Sequence, residues 1–263
     1  MTQVFFAEWR KLRRPTLFYG TLASVVGVTA LITSLLYLLI DSEQGNANGG
    51  EIINRMTLAT PHGITIGFSG SAGLLGLVAL CVFASQTAQE YTYGTLRNLL
   101  VRQPKRLTLL LGKFVSMSVF TLISVLLSAI VSVAIAFSLA GTAEVATDAW
   151  TTSAAGSELI HTFVNVLLSV IAMGTIGMIL GLLLRSPISA ISIGLAWLMV
   201  VENLIAAVVH HSAKWMPGQM ITTISSGGDH NASYSYALIY LAIFLVISFG
   251  LVAFLFQRRD VSN

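Results

Sequence analysis

The stretch that decides the fold is residues 63–88, which read GITIGFSGSAGLLGLVALCVFASQTA and contain no charged residue. A helix rises about 1.5 Å per residue, so about 20 apolar residues cross the roughly 30 Å hydrocarbon core of a bilayer. This stretch is long enough to be a transmembrane helix. Comparable apolar runs lie at 16–40, 107–140, 159–184, 186–209 and 234–256. The sequence therefore predicts an all-α integral membrane protein with six transmembrane helices, which form a single domain over residues 1–263.

The composition agrees with this prediction. Hydrophobic residues make up 55% of the chain and charged residues only 10%, whereas about 25% charged residues is typical of a soluble domain. The segments between the predicted spans (41–62, 89–106, 141–158 and 210–233) are too short for a soluble catalytic domain, so we expect no enzymatic activity in this chain. A nucleic-acid partner is not expected either, because a DNA-binding surface needs a soluble fold to present it.

The distribution of Lys and Arg predicts the orientation, because cytoplasmic loops of membrane proteins are enriched in these residues. With the N-terminus inside, only Arg55 and Lys214 lie on the outer side. The other basic residues all lie on the cytoplasmic side: Arg10, Lys11, Arg13, Arg14, Arg97, Arg102, Lys105, Arg106, Lys113, Arg185, Arg258 and Arg259. Six spans return the C-terminus to the cytoplasm. We expect a multi-pass protein of the plasma membrane, the inner membrane of a bacterial cell.

The N-terminal segment 1–14 has the pattern of an interfacial helix. Phe5, Trp9 and Leu12 follow one another at helical spacing, with basic residues close by. This pattern is typical of a helix that lies in the headgroup plane with its aromatic residues towards the membrane. The alternative is an ordinary cationic flank of the first span.

The cytoplasmic loop 89–106 reads QEYTYGTLRNLLVRQPKR. A short helix can occupy its middle, with Leu96, Leu99 and Leu100 on one face, and Pro104 ends it. A compact, charged and partly apolar element of this kind is suited to a groove on another protein. The alternative is a basic loop that only fixes the topology.

At this loop the sequence resembles a known family. Permease subunits of ABC-2 type transporters carry here an acidic residue, a Gly-Thr pair, a basic residue, paired leucines, and a proline followed by basic residues. In this sequence the corresponding residues are Glu90, Gly94, Thr95, Arg97, Leu99, Leu100, Pro104 and Arg106. The whole plan, with an N-terminal elbow helix, six spans and both termini inside, also resembles that family.

The resemblance implies a function and a set of partners. The loop, including Arg102, would be the coupling helix that a cleft on a separate ATPase subunit receives. Two ATPase copies would drive alternating access of two permease halves, expected to be a homodimer that meets through the first and fifth spans. The chain would export a hydrophobic or amphipathic substrate, such as a drug, an antimicrobial peptide or a lipid-like molecule.

The same resemblance assigns the cofactors to the partner. ATP and Mg would bind to the ATPase subunit, and we expect no cofactor on this chain. A phosphate-binding loop is not expected here, because Gly112-Lys113 is followed by Phe114 and lacks the upstream glycine.

Polar and small residues inside the spans are further candidates. Glu202, with Asn203 beside it, either lines a translocation pathway or sits at the outer interface. The glycine pairs Gly63–Gly67 and Gly177–Gly181 have the four-residue spacing that lets helices pack closely. We interpret them as packing seams, and a glycine-lined substrate path is the alternative.

The outer side carries all five histidines: His62, His161, His210, His211 and His230. We expect solvated side chains there and no metal site, since adjacency in sequence provides no converging ligands. The family resemblance implies that the outer loop 210–233, with Trp215, Met216 and Pro217, dips into the membrane as short re-entrant helices.

Two other function classes remain open at this point. One is a stand-alone secondary transporter or channel, which would show ATP-independent flux in liposomes. The other is a non-transporting membrane immunity or sensor protein. An ATPase retained during purification would favour the exporter.

Overall fold

The computed structural model describes residues 2–40, 54–102, 105–209, 211–228 and 232–258. Within these ranges the chain is helical and contains no strand. The helices are α1 (Thr2–Leu12), α2 (Pro15–Leu38), α3 (Arg55–Leu58), α4 (Gly63–Thr92), α5 (Thr95–Arg102), α6 (Arg106–Ala140), α7 (Ser153–Leu184), α8 (Pro187–Leu195), α9 (Glu202–Val208), α10 (Pro217–Ser225) and α11 (Tyr234–Arg258). A π-helical segment, Ala196–Val201, joins α8 to α9, and short 3-10 helices lie at Asp148–Thr151 and Ser212–Trp215.

Six helices in the described ranges are long and apolar enough to cross a membrane: α2, α4, α6, α7, the continuous segment from α8 to α9, and α11. These coincide with the six predicted spans, so the prediction of a multi-pass helical membrane protein is confirmed. Two helices are longer than their apolar runs. α4 continues to Thr92, because no residue before Gly94 ends it. α7 begins at Ser153, where the hydroxyl of Thr152 caps the backbone N–H of Ala155.

The central contact of the bundle is between α4 and α7. A side chain at Gly181 would place its Cβ 2.8 Å from the carbonyl oxygen of Ala84, and one at Gly177 would collide with the Leu80 carbonyl. The two helix backbones therefore approach as closely as only small residues allow. This confirms that Gly177 and Gly181 form a packing seam.

Buried hydroxyl groups join α2 to α6. Thr29 and Thr33 lie one turn apart on α2, and their hydroxyls contact those of Ser128 at 2.7 Å and Ser132 at 3.1 Å. Gly67 of α4 packs directly against Thr33 and Ser132, whereas Gly63 contacts the backbone of Leu58 in the turn before α4. Gly67 thus belongs to a three-helix contact, and Gly63 belongs to a turn.

The bundle has two chemically different ends. The end that we call the basic end comprises α1, the last turns of α4, α7 and α11, all of α5, and the first turns of α6. The opposite end, which we call the far end, comprises α3, the Asp148–Thr151 turn and the segment before α10. There Trp150 donates from its indole nitrogen to the Leu58 carbonyl at 2.9 Å.

Candidate functional site

The turn between α4 and α5 explains one residue of the predicted loop motif. Gly94 has φ +64°, and its N–H donates to the Tyr91 carbonyl at 3.2 Å. This left-handed conformation ends α4 and lets the chain start α5 at the next residue, and it is strained for residues with a side chain. The Gly-Thr pair of the motif is therefore the turn and the first residue of α5.

Helix α5 has one face on the bundle and one face exposed. Leu96 is buried and Leu99 packs partly against the core, as the predicted apolar face requires. Opposite them, Val101 is 80% exposed, and Tyr93 just before the helix is 73% exposed. Pro104 and the side chains of Arg97, Leu100 and Arg102 lie outside the described part of the chain.

At the base of α5 four charged side chains form a buried ion cluster, which we call the Glu8–Lys113 cluster. It consists of Glu8 and Lys11 of α1, Glu90 of α4 and Lys113 of α6. The ammonium nitrogen of Lys11 lies 2.6 Å from Glu8 and 2.7 Å from Glu90. That of Lys113 lies 3.0 Å from Glu8, 2.7 Å from Glu90 and 3.0 Å from the Gln86 carbonyl oxygen.

Burial and charge act in opposite directions within this cluster. Burial acts to raise the pKa of Glu8, but the ammonium groups of Lys113 and Lys11 outweigh it and hold the pKa below its ordinary value. Burial likewise acts to lower the pKa of Lys11, but Glu90 and Glu8 outweigh it and the pKa is raised. The shifts of Glu8 and Lys11 thus both favour the charged forms that pair within the cluster.

The sequence of α1 delivers its charges to this place. Val4, Glu8 and Leu12 lie on one helical face and are buried, while Phe6 is 59% exposed. That face packs on α6, where Gly112 has no side chain to keep Val4 away. Of the predicted apolar face, Leu12 lies in the core. Phe5 and Trp9 stack on each other with ring centroids 6.2 Å apart and are partly buried.

Three members of the cluster were absent from the sequence-based site: Glu8, Lys11 and Lys113. The signal for Lys113 was present, since it is a lysine inside an apolar run, where a charge usually has a partner. Glu8 is the only acidic residue in the basic segment 1–14. The Gly112-Lys113 pair does not have the pattern of a phosphate-binding loop. Gly112 instead lets α1 pack closely on α6, next to the buried Lys113.

Two arginines close the basic end around the cluster. Arg106 donates to the Phe256 carbonyl oxygen at 2.8 Å and its guanidinium lies 5.9 Å from that ring, which ties α6 to α11. Arg185, at the end of α7 with φ +56°, lies 5.6 Å from the ring of Tyr91. The ends of α4 and α7 are therefore held together beside α5.

The second buried acid, Glu202, lies towards the far end and has a different set of partners. It is fully buried. Its carboxylate accepts hydrogen bonds from the Trp197 indole N–H at 3.0 Å and from the backbone N–H groups of Gly218 and Gln219, each at 3.2 Å. Gly218 and Gln219 begin α10, so Glu202 binds the N-terminus of that helix, where backbone dipoles favour a negative charge. Whether it also lines a pathway stays a prediction.

The predicted partner residue Asn203 adds a second link to the same helix. It donates to the Met199 carbonyl oxygen at 2.9 Å and accepts from the Gln219 amide at 3.0 Å. Helix α10 packs on α7 and α11, and Ser169, half-way along α7, donates to the Ile221 carbonyl oxygen at 3.0 Å. The loop 210–233 therefore contains short helices, and their re-entry into the membrane stays a prediction. The π-helical segment before Glu202 had no sequence-based prediction.

The described histidines do not converge. His62 lies 3.6 Å from Glu158, with both side chains about half exposed. No group of three or more His, Cys, Asp or Glu side chains that could hold a metal ion occurs in the described ranges. His210 and His230 lie outside those ranges.

Comparison with known proteins gives a family but no activity. No curated protein matches the chain. A family described as "protein of unknown function (DUF2705)" matches residues 59–262, a range that runs from the start of α4 through α11. Because this match covers most of the sequence, the chain belongs to the DUF2705 family.

Proposed function

We propose that this chain is the permease subunit of an ATP-driven exporter. In this proposal the basic end faces the cytoplasm, α1 is the elbow helix, and α5 is the coupling helix that a separate ATPase subunit receives. ATP and Mg act on that partner. Two permease copies alternate between inward-facing and outward-facing states.

The observation that carries the proposal is the construction of α5. Its inner face is anchored by Leu96, and just before it the Glu8–Lys113 cluster joins the end of α4 to α1 and α6. Its outer side presents Val101, an exposed apolar side chain on a short helix. A short helix that follows directly on α4, whose end is joined to α1 and α6, and that has an apolar exposed face is suited to transmit movement from a partner to several helices at once.

The lipid-facing character of the spans supports the rest of the proposal. Three candidate spans are mostly exposed within one copy: α2, the α8–α9 segment and α11 bury only 22%, 17% and 17% of an 18-residue window. Two of these, α2 and the α8–α9 segment, are the first and fifth spans, where a second copy would pack. The spans are apolar with scattered Ser and Thr, which favours a hydrophobic or amphipathic cargo, such as a drug, an antimicrobial peptide or a lipid-like molecule.

A photo-crosslinking experiment tests the coupling role. A benzoylphenylalanine residue is introduced at Val101 in the full chain, in its native membrane, and the adducts are identified by mass spectrometry. We expect a phosphate-loop ATPase among the adducts. Ile239, which is 62% exposed on α11, provides a matched control position from which no ATPase adduct should form.

Flux measurements separate the proposal from the alternatives. The purified chain is reconstituted in liposomes together with the ATPase that cross-linking identifies. Efflux is then measured with and without ATP. Substrate movement that requires ATP supports the exporter. Movement by the chain alone without ATP would support a secondary transporter or channel, and the absence of any ATPase adduct at position 101 would contradict the coupling role.

A further inference from the structure

A polar pocket of about 300 Å³ opens at the basic end, between the α1–α2 junction, the last turns of α4, and α5. Its charged lining residues are Lys11, Arg14 and Glu90, and its polar ones include Gln86, Gln89, Tyr93 and Asn98. Neither the resemblance to ABC-2 permeases nor the proposed function assigns a role to this pocket.

Gln86 shows that the pocket is built to receive a polar group. Its side chain is only 8% exposed, it lines the pocket, and its amide has no hydrogen-bond partner among the described residues. Buried amides of this kind normally have a partner. Because Gln86 lines the pocket, a molecule bound there can supply the missing partner.

The charge of the pocket favours an anion. Within the Glu8–Lys113 cluster the two carboxylates and two ammonium groups cancel. Arg14 adds a positive charge, and in the described part of the chain its guanidinium has no ion-pair partner. Lys11 uses two of its three N–H groups on Glu8 and Glu90, so one donor remains.

An apolar groove of about 570 Å³ continues from the same face of α4 and α2 towards α8. Val82 of the groove lies four residues before Gln86, and Leu17 lies three residues after Arg14, so groove and pocket share the same helical faces. The pocket lies at the ends of two candidate spans, Pro15–Leu38 and Gly63–Thr92, which is the level of lipid headgroups.

We propose that this pocket and groove bind an anionic phospholipid of the surrounding bilayer. The phosphate accepts hydrogen bonds from Arg14, Gln86 and the remaining N–H of Lys11, and an acyl chain occupies the apolar groove. One copy of the chain forms the whole site, so the inference holds whether or not the chain is an exporter subunit.

Native mass spectrometry of the purified full chain tests this site. The protein is titrated separately with dioleoylphosphatidylglycerol and dioleoylphosphatidylcholine, which differ in net charge, and with inorganic phosphate. We expect one phosphatidylglycerol per chain in preference to phosphatidylcholine. The Arg14→Gln variant should weaken binding about tenfold, the effect of one charge-assisted hydrogen bond.

Arg13→Gln is the matched control, because it removes the same charge from the same segment but does not line the pocket. Gln86→Leu, which keeps the size of the side chain, should also weaken binding. Equal binding of the two lipids, or equal losses in Arg13→Gln and Arg14→Gln, would overturn the proposal. Binding of inorganic phosphate as tight as that of phosphatidylglycerol would overturn the lipid assignment in favour of a free anion.

Discussion

The protein buries acidic side chains at two sites and stabilises them in different ways. At the basic end, Glu8 and Glu90 are neutralised by two lysine ammonium groups that come from α1 and α6. Near the far end, Glu202 has no Lys or Arg within ion-pair distance in the described ranges and instead accepts three N–H groups. The first site uses opposite charges and the second uses neutral dipoles.

This difference decides how each site responds to change. A buried ion cluster is sensitive to the loss of a charge, because the remaining ions keep their desolvation cost without compensation. A carboxylate held by dipoles is sensitive to the loss of an acceptor. The cluster therefore joins three helices through charge, whereas Glu202 fixes the orientation of one short helix through directed hydrogen bonds.

The largest effect is expected from Lys113→Met. The substitution keeps much of the volume of the side chain but leaves Glu8 and Glu90 with Lys11 alone, and losing one partner of a buried ion pair costs about 3–5 kcal/mol. We expect the free energy of unfolding to fall by that amount. Unfolding of the purified protein, monitored by tryptophan fluorescence, measures this loss.

Lys105→Met is the control for this prediction, because Lys105 is an exposed lysine just before α6 and should change stability little. The double variant Glu90→Gln/Lys113→Met should be more stable than the sum of the single losses predicts, by roughly 1–3 kcal/mol. Strict additivity would show that Glu90 and Lys113 do not interact in the folded protein.

A smaller loss is expected from Glu202→Gln. The carbonyl oxygen of the glutamine can still accept the N–H groups of Trp197 and Gly218, but its NH₂ group then faces the N–H of Gln219. A buried donor left without an acceptor costs about 1–3 kcal/mol. Thermal unfolding of this variant beside Glu158→Gln, which alters a half-exposed acid, checks the loss.

Transport by Glu202→Gln sharpens the comparison further. If the chain is the proposed exporter subunit and Glu202 only holds α10, transport should fall in proportion to the amount of folded protein. A change in substrate selectivity at equal amounts of folded protein would support the pathway hypothesis and would contradict a purely structural role.

Acid pH should affect the Glu8–Lys113 cluster specifically. Because the pKa of Glu8 in the folded protein is below its ordinary value of 4.5, its stabilising effect is complete above that value and is lost as the pH falls below it. Each proton involved changes the free energy of unfolding by at most about 1.4 kcal/mol per pH unit. Because the pKa of Lys11 is raised, its stabilising effect is lost only as the pH rises above 10.5.

Unfolding midpoints measured from neutral pH downwards check this dependence. The stability difference between the native protein and Glu8→Gln should shrink as the pH falls below 4.5. Glu144→Gln, which changes an acid whose side chain is 78% exposed, should keep the native pH dependence. An unchanged difference between the native protein and Glu8→Gln at acid pH would show that Glu8 is not ionised in the folded state.

The spans could be predicted from the sequence because lipid imposes a simple rule on them. An uncharged run such as 63–88 has to be a helix in a bilayer, since every backbone N–H and C=O group needs a partner there. The ends were less predictable. Gln89 to Thr92 look like a loop by composition, yet they remain helical because nothing before Gly94 ends α4.

The sites were only partly predictable, because their partners are distant in the sequence. Glu90 and Glu202 were both candidates, but each depends on residues from other helices. Lys113 reaches Glu90 across 23 positions and Lys11 reaches it across 79. Hydrophobic periodicity describes a single helix, so it contains no information on which charges meet between helices.

The smallest effect is expected near Glu202, from Tyr240→Phe. The hydroxyl of Tyr240 donates to the Trp215 carbonyl oxygen at 2.6 Å and so fixes the segment just before α10 to α11. Its loss should cost about 0.5–1.5 kcal/mol, while the ring keeps its stack on Phe244. Tyr236→Phe removes a hydroxyl from the same helix without removing such a bond, so its unfolding midpoint should stay unchanged. If both variants lose equally, the hydroxyl of Tyr240 does not hold this segment, and Glu202 and Asn203 position α10 without it.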